Sequence, residues 1–271
     1  MFNKAYIYFA LMLCLPVVVW TRDDIWISGA ATDTLPVLLG LPLFFWIGGP
    51  WEWREHPPRI RGRYIALCAL GMVAATMMDL TFIFAASWTL LLWFMIRSYI
   101  KEDPLRPLNR LIVIPLLSFP WIILDGQVIG WFFRLSGACV AEVILSAFEH
   151  DFARQGTQIF VRDVCVSVGE ACSGLNSLQA MLIGGCVMAY AVLGQLRRFW
   201  VALPMLVLAA WVANTLRVVL TALVAVRGDA AYVSGSLHEW EGWLMLVIMF
   251  GLCAAIFATM RPQDDVARAA A

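Results

Sequence analysis

Charge is what this chain has least of. Asp, Glu, Lys and Arg make up 14% of its 271 residues, where an ordinary soluble domain carries about 25%. The two signs balance, with 19 basic and 19 acidic residues, so there is no basic surplus of the kind nucleic-acid binding requires. Histidine occurs three times, no CxxC is present, and no Cys/His cluster has the spacing of a structural zinc site. No structural zinc site is therefore expected, and the expectation is that neither a metal nor an organic cofactor is required. No internal repeat is visible, which excludes a solenoid, and the short Ala-rich tail is the one low-complexity tract.

What fills the chain instead is apolar. Hydrophobic residues account for 62% and recur in long runs along the whole length, the pattern of an all-α polytopic membrane protein. Thirteen tryptophans, many near the ends of these runs, fit the aromatic belts of a membrane interface. The first run, about 5–20, has only Lys4 before it and Thr21-Arg22-Asp23-Asp24 after it. That is no cleavage site, so it reads as a retained helix rather than a signal peptide. Of seven cysteines, Cys14, Cys68, Cys186 and Cys253 lie inside apolar runs, where the residue behaves as a small hydrophobe. Cys139 and Cys165 could pair in an oxidising compartment, leaving Cys172 unpaired; the sequence does not decide this.

A spanning helix needs about 20 apolar residues, with a lower end near 17. Eight crossings are expected, at about 5–20, 34–50, 64–79, 80–96, 111–125, 173–193, 199–226 and 242–260, the third and fourth meeting at Asp79 in a polar turn. With the N-terminus inside, the inner loops hold 13 Lys and Arg and the outer segments five. This bias orients the chain N-in and C-in. The run 128–148 is long enough to cross but carries Arg134 and Glu142, with Val128, Trp131, Phe132, Leu135 and Cys139 at helical spacing. A ninth crossing there would carry Arg197, Arg198 and the tail outside. It is therefore expected to lie along the outer surface as an amphipathic helix. Residues 155–169, β-branched with a polar break at Arg162-Asp163, read as a short β-hairpin-like segment. The chain is expected to form a single membrane domain, 1–271, with a four-crossing part over 1–110, a core over 111–260 and a cytoplasmic tail over 261–271.

Three reactive side chains fall at the outer mouths of successive crossings. Cys172, in Val168-Gly169-Glu170-Ala171-Cys172-Ser173-Gly174-Leu175, is expected in the first turn of an inward-running helix. There the helix dipole and unpaired N–H groups favour the thiolate and are able to hold a developing oxyanion. Its bland alternative is an inert buried cysteine. Glu170 works against a thiolate and suits orienting a histidine or binding substrate. Arg217 lies within an apolar run, where an arginine usually faces a polar interior; the plainer reading is snorkelling to the interface. Asn214, three residues earlier, shares its helical face, and together they form an electrophilic pair for a carbonyl oxygen or carboxylate. His238, in Ser236-Leu237-His238-Glu239-Trp240, has a pKa range suited to proton transfer to a leaving amine. As a lone interfacial histidine it would more ordinarily be structural. Glu239 either orients it or is simply solvated.

The ordered motifs Glu170-Ala171-Cys172-Ser173-Gly174, Asn214-Thr215-Leu216-Arg217 and His238 resemble those of the exosortase/archaeosortase family of membrane transpeptidase-like enzymes. The likeness covers about 110–260 in detail and the first four crossings in general character. It implies a Cys172–Arg217–His238 site supported by Glu170, Ser173, Gly174, Asn214 and Glu239. It also implies substrates that are exported proteins bearing a C-terminal sorting signal of PEP-CTERM type: a short motif, a transmembrane helix and a basic tail. Cleavage through a thioacyl-enzyme would end in hydrolysis or in transfer to a lipid or polysaccharide acceptor. By the same likeness the protein is a multi-pass resident of the inner (plasma) membrane with its site on the extracytoplasmic side, in contact with membrane lipid. Two non-enzymatic alternatives remain, a polytopic transporter and an export-system scaffold.

Overall fold

The structure, a computed structural model, describes residues 4–22, 26–27, 31–101, 108–147, 152–161, 164–167, 174–194, 197–226 and 236–261. At 4–6, 31–33, 152, 161, 164–167, 225–226 and 236–243 it describes the backbone alone. In chain order the described elements are α1 (Lys4–Arg22), α2 (Ala31–Gly48), α3 (Gly62–Met78), α4 (Thr81–Tyr99), the short α5 (Leu108–Leu111), α6 (Val113–Leu117) and α7 (Trp121–Leu124), and then α8 (Gln127–Ser146). Three strands follow, β1 (Phe152–Gln155), β2 (Gln158–Val161) and β3 (Val164–Ser167), and then α9 (Leu175–Leu193), α10 (Phe199–Val226) and α11 (Ser236–Thr259). Every segment expected to cross contains helix, the structure that satisfies its own backbone polar groups in a hydrocarbon phase. Among the described residues α4, α8, α9 and α10 are long and apolar enough to span one.

The chain packs as two compact units, Met1–Asp125 with Gly194–Phe199, and Gly126–Leu193 with Trp200–Ala271. In the first, α3 and α4 form a hairpin whose turn is Asp79, in left-handed conformation with φ 57°, its N–H donating to Ala75 O. Arg22 forms an ion pair with Asp79. Asp125 caps α4: its Oδ1 accepts from Thr81 N at 3.3 Å and its Oδ2 from Phe82 N at 2.5 Å. Trp88, fully buried, donates from Nε1 to Met12 O at 3.0 Å and so ties α4 to α1.

The expected continuous crossing at 111–125 is not one helix. It is broken into α5, α6 and α7. Pro115 lacks an N–H and its ring crowds the carbonyl four residues back, at Leu111, so the helix restarts after Ile112. Pro120 is the N-cap of α7. Hydropathy registered an unbroken apolar run and passed over both prolines.

In the second unit the expected hairpin is present and extended by one strand. The sheet runs in the order β1-β2-β3, all antiparallel, with Phe160 opposite Cys165 and Arg154 opposite Ile159. Arg154 Nε donates to Glu142 Oε2 at 2.6 Å, clamping β1 to α8. This bond, with Glu142's negative charge, raises the Arg154 pKa above the ordinary arginine value. Helix α8 turns Val128, Trp131 and Phe132 outward, while Ala138, Ala141 and Leu145 gather with Ile159 and with Val218, Val219 and Ala222 of α10. It thus carries the amphipathic stripe expected of a surface helix and also has the length of a crossing. Cys139 is a free thiol; the Cys165 side chain lies outside the described residues.

Helices α10 and α11 approach α9 at adjacent glycines. A Cβ on Gly184 would stand 2.7 Å from Phe250 Cζ, and one on Gly185 2.2 Å from Leu206 Cδ2. Such contacts are overpacked, and overpacking of this kind costs about 1–3 kcal/mol. Gly185→Ala is expected to lower the melting temperature of the detergent-solubilised protein, and adding Leu206→Ala to recover part of that loss. A melting temperature unmoved by Gly185→Ala would contradict the packing described.

Candidate active site

Helix α9 starts later than the sequence suggests. Its first helical residue is Leu175, and Gly174 is the N-cap, whose carbonyl accepts the first intrahelical bond from Leu178 N at 2.8 Å. The expectation that residue 172 lies in the first turn is corrected accordingly: the turn begins three residues downstream. Ser173 reads as helical in the sequence because the apolar run begins there, whereas Gly174, at φ 74°, is in a conformation that no right-handed helix contains. Glu170, Cys172 and Ser173 themselves lie outside the described residues.

Gly174 is required twice. Its left-handed φ suits glycine, which has no Cβ to collide with its own carbonyl. Its surroundings impose the same choice, since a Cβ would lie 2.6 Å from Asn214 Cγ and 2.8 Å from Asn214 Oδ1. The last residue of the cysteine motif therefore rests directly on the first residue of the Asn-x-x-Arg motif. Asn214 is 3% exposed, and its Nδ2 makes no hydrogen bond among the described residues. Arg217, half-buried, lies one turn further along the same face of α10.

A small, partly open cleft lies between three helices of this unit. Helix α9 contributes Ser177 and Met181, α10 contributes Asn214 and Arg217, and α11 contributes Met245 and Leu246. The described lining combines donor groups with thioether and aliphatic groups, and none of it is acidic. His238 is on the first turn of α11, seven residues and so two turns before Met245, which sets it on the same helical face. The side chains of His238 and Glu239 lie outside the described residues. The structure thus brings Gly174, Asn214 and Arg217 together, with the α11 face that carries His238 bordering the same cleft.

Ser177, Met181, Met245 and Leu246 are absent from the residues the sequence singles out. The signal was present as helical period, since Ser177 follows Gly174 by three, Met181 follows Ser177 by four and Met245 follows His238 by seven. Nothing in composition distinguishes these residues.

The described helices, their apolar faces and the cleft at the N-terminus of α9 define a helical membrane protein with a polar site at a helix mouth. The chain matches the transmembrane exosortase family (Exosortase_EpsH) over residues 26–257 and belongs to it. No curated protein and no solved structure matches it significantly.

Gly174→Ala must place an L residue in a left-handed conformation, at about 1–2 kcal/mol, and must also displace Asn214. The expected result is a lower melting temperature than that of Gly62→Ala. Gly62 opens α3, and a methyl added there would meet nothing within 4 Å, so its substitution serves as the neutral reference.

Proposed function

We propose that this exosortase-family protein is a cysteine transpeptidase or protease that cleaves the C-terminal sorting signals of exported proteins. The observation that carries the reading is the contact of Gly174 with Asn214. It anchors the motif containing Cys172 against the helix that presents Arg217, beside a cleft able to take a peptide carbonyl. The Cys172 sulfur attacks that carbonyl carbon, and the carbonyl π pair moves to oxygen. Arg217 and the Asn214 amide face the oxyanion. The proton lost by the thiol passes through His238 to the leaving amine as the C–N bond breaks, giving a thioacyl-enzyme. Water or an acceptor nucleophile on a lipid or polysaccharide then takes the acyl group and restores the thiol. Glu170, Ser173 and Glu239 are assigned supporting roles around the nucleophile and the histidine.

The substrate we propose is an exported protein ending in a short motif, a transmembrane helix and a basic tail. Its own helix would deliver the scissile bond to the mouth of α9. The membrane is the inner (plasma) membrane, with the site extracytoplasmic, both termini cytoplasmic, and α8 along the outer surface. The 13-to-five asymmetry of Lys and Arg between alternate loops supports that orientation.

Cys172→Ala is expected to reduce processing of a co-expressed tripartite-tail protein at least about a thousandfold, as loss of a covalent nucleophile does. Cys139→Ala, which removes a free thiol outside the motif, should leave processing intact. Arg217→Lys should slow acylation about a hundredfold. Unchanged processing by Cys172→Ala would sink the proposal, whereas an acyl adduct on Cys172 in acid-quenched enzyme would support it directly. Reporter fusions test the orientation: those ending at 197 and at 261 should report a cytoplasmic position and those ending at 127 and at 147 an exported one. Opposite signals from 127 and 147 would make α8 a ninth crossing.

A further inference from the structure

Of the groups bordering the cleft, Ser177 has no assigned part. It is half-buried and stands at the third helical position of α9, one turn in from Gly174. Among the described lining residues its hydroxyl is the only one, set with Asn214 and Arg217 against a remainder of methionine, leucine and alanine. Asn214 turns its Oδ1 edge toward Gly174, which leaves Nδ2, buried and without a hydrogen bond among the described residues, for an acceptor from elsewhere. Buried amide donors are almost always matched, so an unmatched one at a cleft points to a ligand oxygen. None of the described lining side chains carries a carboxylate that could serve as that acceptor.

We propose that Ser177 is a further substrate-contacting residue, its Oγ–H donating alongside Asn214 Nδ2 to the carbonyl oxygen of the bond that is cleaved. This rests on the transpeptidase reading above and adds to it a member that none of the three motif positions supplies. As the sulfur–carbon bond forms, the carbonyl π pair moves onto oxygen, and the two donors shorten their bonds to it. When the C–N bond breaks, the pair returns to form the thioester carbonyl and the proton-bearing amine departs. The Ser177 O–H bond stays intact throughout, so serine is a donor here and not a nucleophile. Its place in the first turn of α9 adds the positive end of that helix to the same oxygen.

The test uses full-length enzyme in nanodiscs and a purified reporter protein with a motif–helix–basic tail that the unaltered enzyme processes. Single-turnover acylation and reporter binding are followed for Ser177→Ala and Ser177→Thr. The rate of Cys172 alkylation by iodoacetamide and the melting temperature are measured on the same samples. Ser177→Ala should slow acylation about a hundredfold, with reporter affinity, alkylation rate and melting temperature unchanged, and Ser177→Thr should restore most of the rate. Acylation as fast in Ser177→Ala as in the parent overturns the proposal. So does slow acylation that comes with a lowered melting temperature or altered alkylation and is not rescued by threonine, because the role is then structural. Cys172→Ala run in parallel separates the two levels: if it is inactive while Ser177→Ala is normal, the transpeptidase reading stands and only the serine's role falls.

Discussion

The close approach of α9 to its neighbours is the constraint on which the second unit depends. Where hydrocarbon surrounds the helices, burying apolar area against another helix gains little over contact with lipid, and association relies on tight packing and polar contacts. The glycines of α9 supply the first: Gly184 and Gly185 admit Phe250 of α11 and Leu206 of α10 to distances no larger residue permits. The same closeness recurs at the helix mouth, where Gly174 lies on Asn214. Packing in the middle of α9 and the contact at its N-terminus are one arrangement, since the helix that is drawn in at Gly185 also carries Gly174 onto Asn214.

That arrangement explains why polar groups are tolerated where they stand. Asn214 and Arg217 lie on a helix of 28 residues whose composition is otherwise almost wholly apolar. Each would be costly facing lipid. On α10 they border a cleft shared with α9 and α11 instead. A transport path would need such groups to continue through the unit. Besides Ser177, Asn214 and Arg217, the described lining consists of Met181, Ala213, Met245 and Leu246, apolar side chains that offer no such continuation.

Much of this was legible in residues, and what was not has physical reasons. The apolar helices were readable because a long apolar run leaves few alternatives, and the Asp79 turn because a carboxylate between two such runs marks a surface. The break at 108–124 was missed because hydropathy averages over Pro115 and Pro120, whose effect is on hydrogen bonding rather than polarity. The start of α9 falls two residues later than the apolar run because no pattern of hydrophobicity registers a left-handed glycine. Strand β1 escaped because four residues, Phe152-Ala153-Arg154-Gln155, acquire strand identity only from their partner β2 and from the clamp of Arg154 on Glu142. The contact between the cysteine motif and the Asn-x-x-Arg motif joins residues 40 apart in sequence, and only packing can reveal it.

Helix length adds an argument about depth. At 1.5 Å per residue α9 is about 28 Å long, close to the roughly 30 Å of a bilayer's hydrocarbon. Arg217 stands about 27 Å along α10 from Phe199. If Phe199 marks one boundary, Arg217 and the mouth of α9 both reach the other, and the final nine residues of α10 continue past it. His238, two turns before the cleft on α11, belongs to that same projecting zone. The thiol and imidazole of the proposed site would need water for proton exchange, while a chain they acted on would have to be held still by close-packed helices. A site at the end of α9, bordered by α10 and α11, would meet both needs at once, and the N-cap at Gly174 sets where that helix begins.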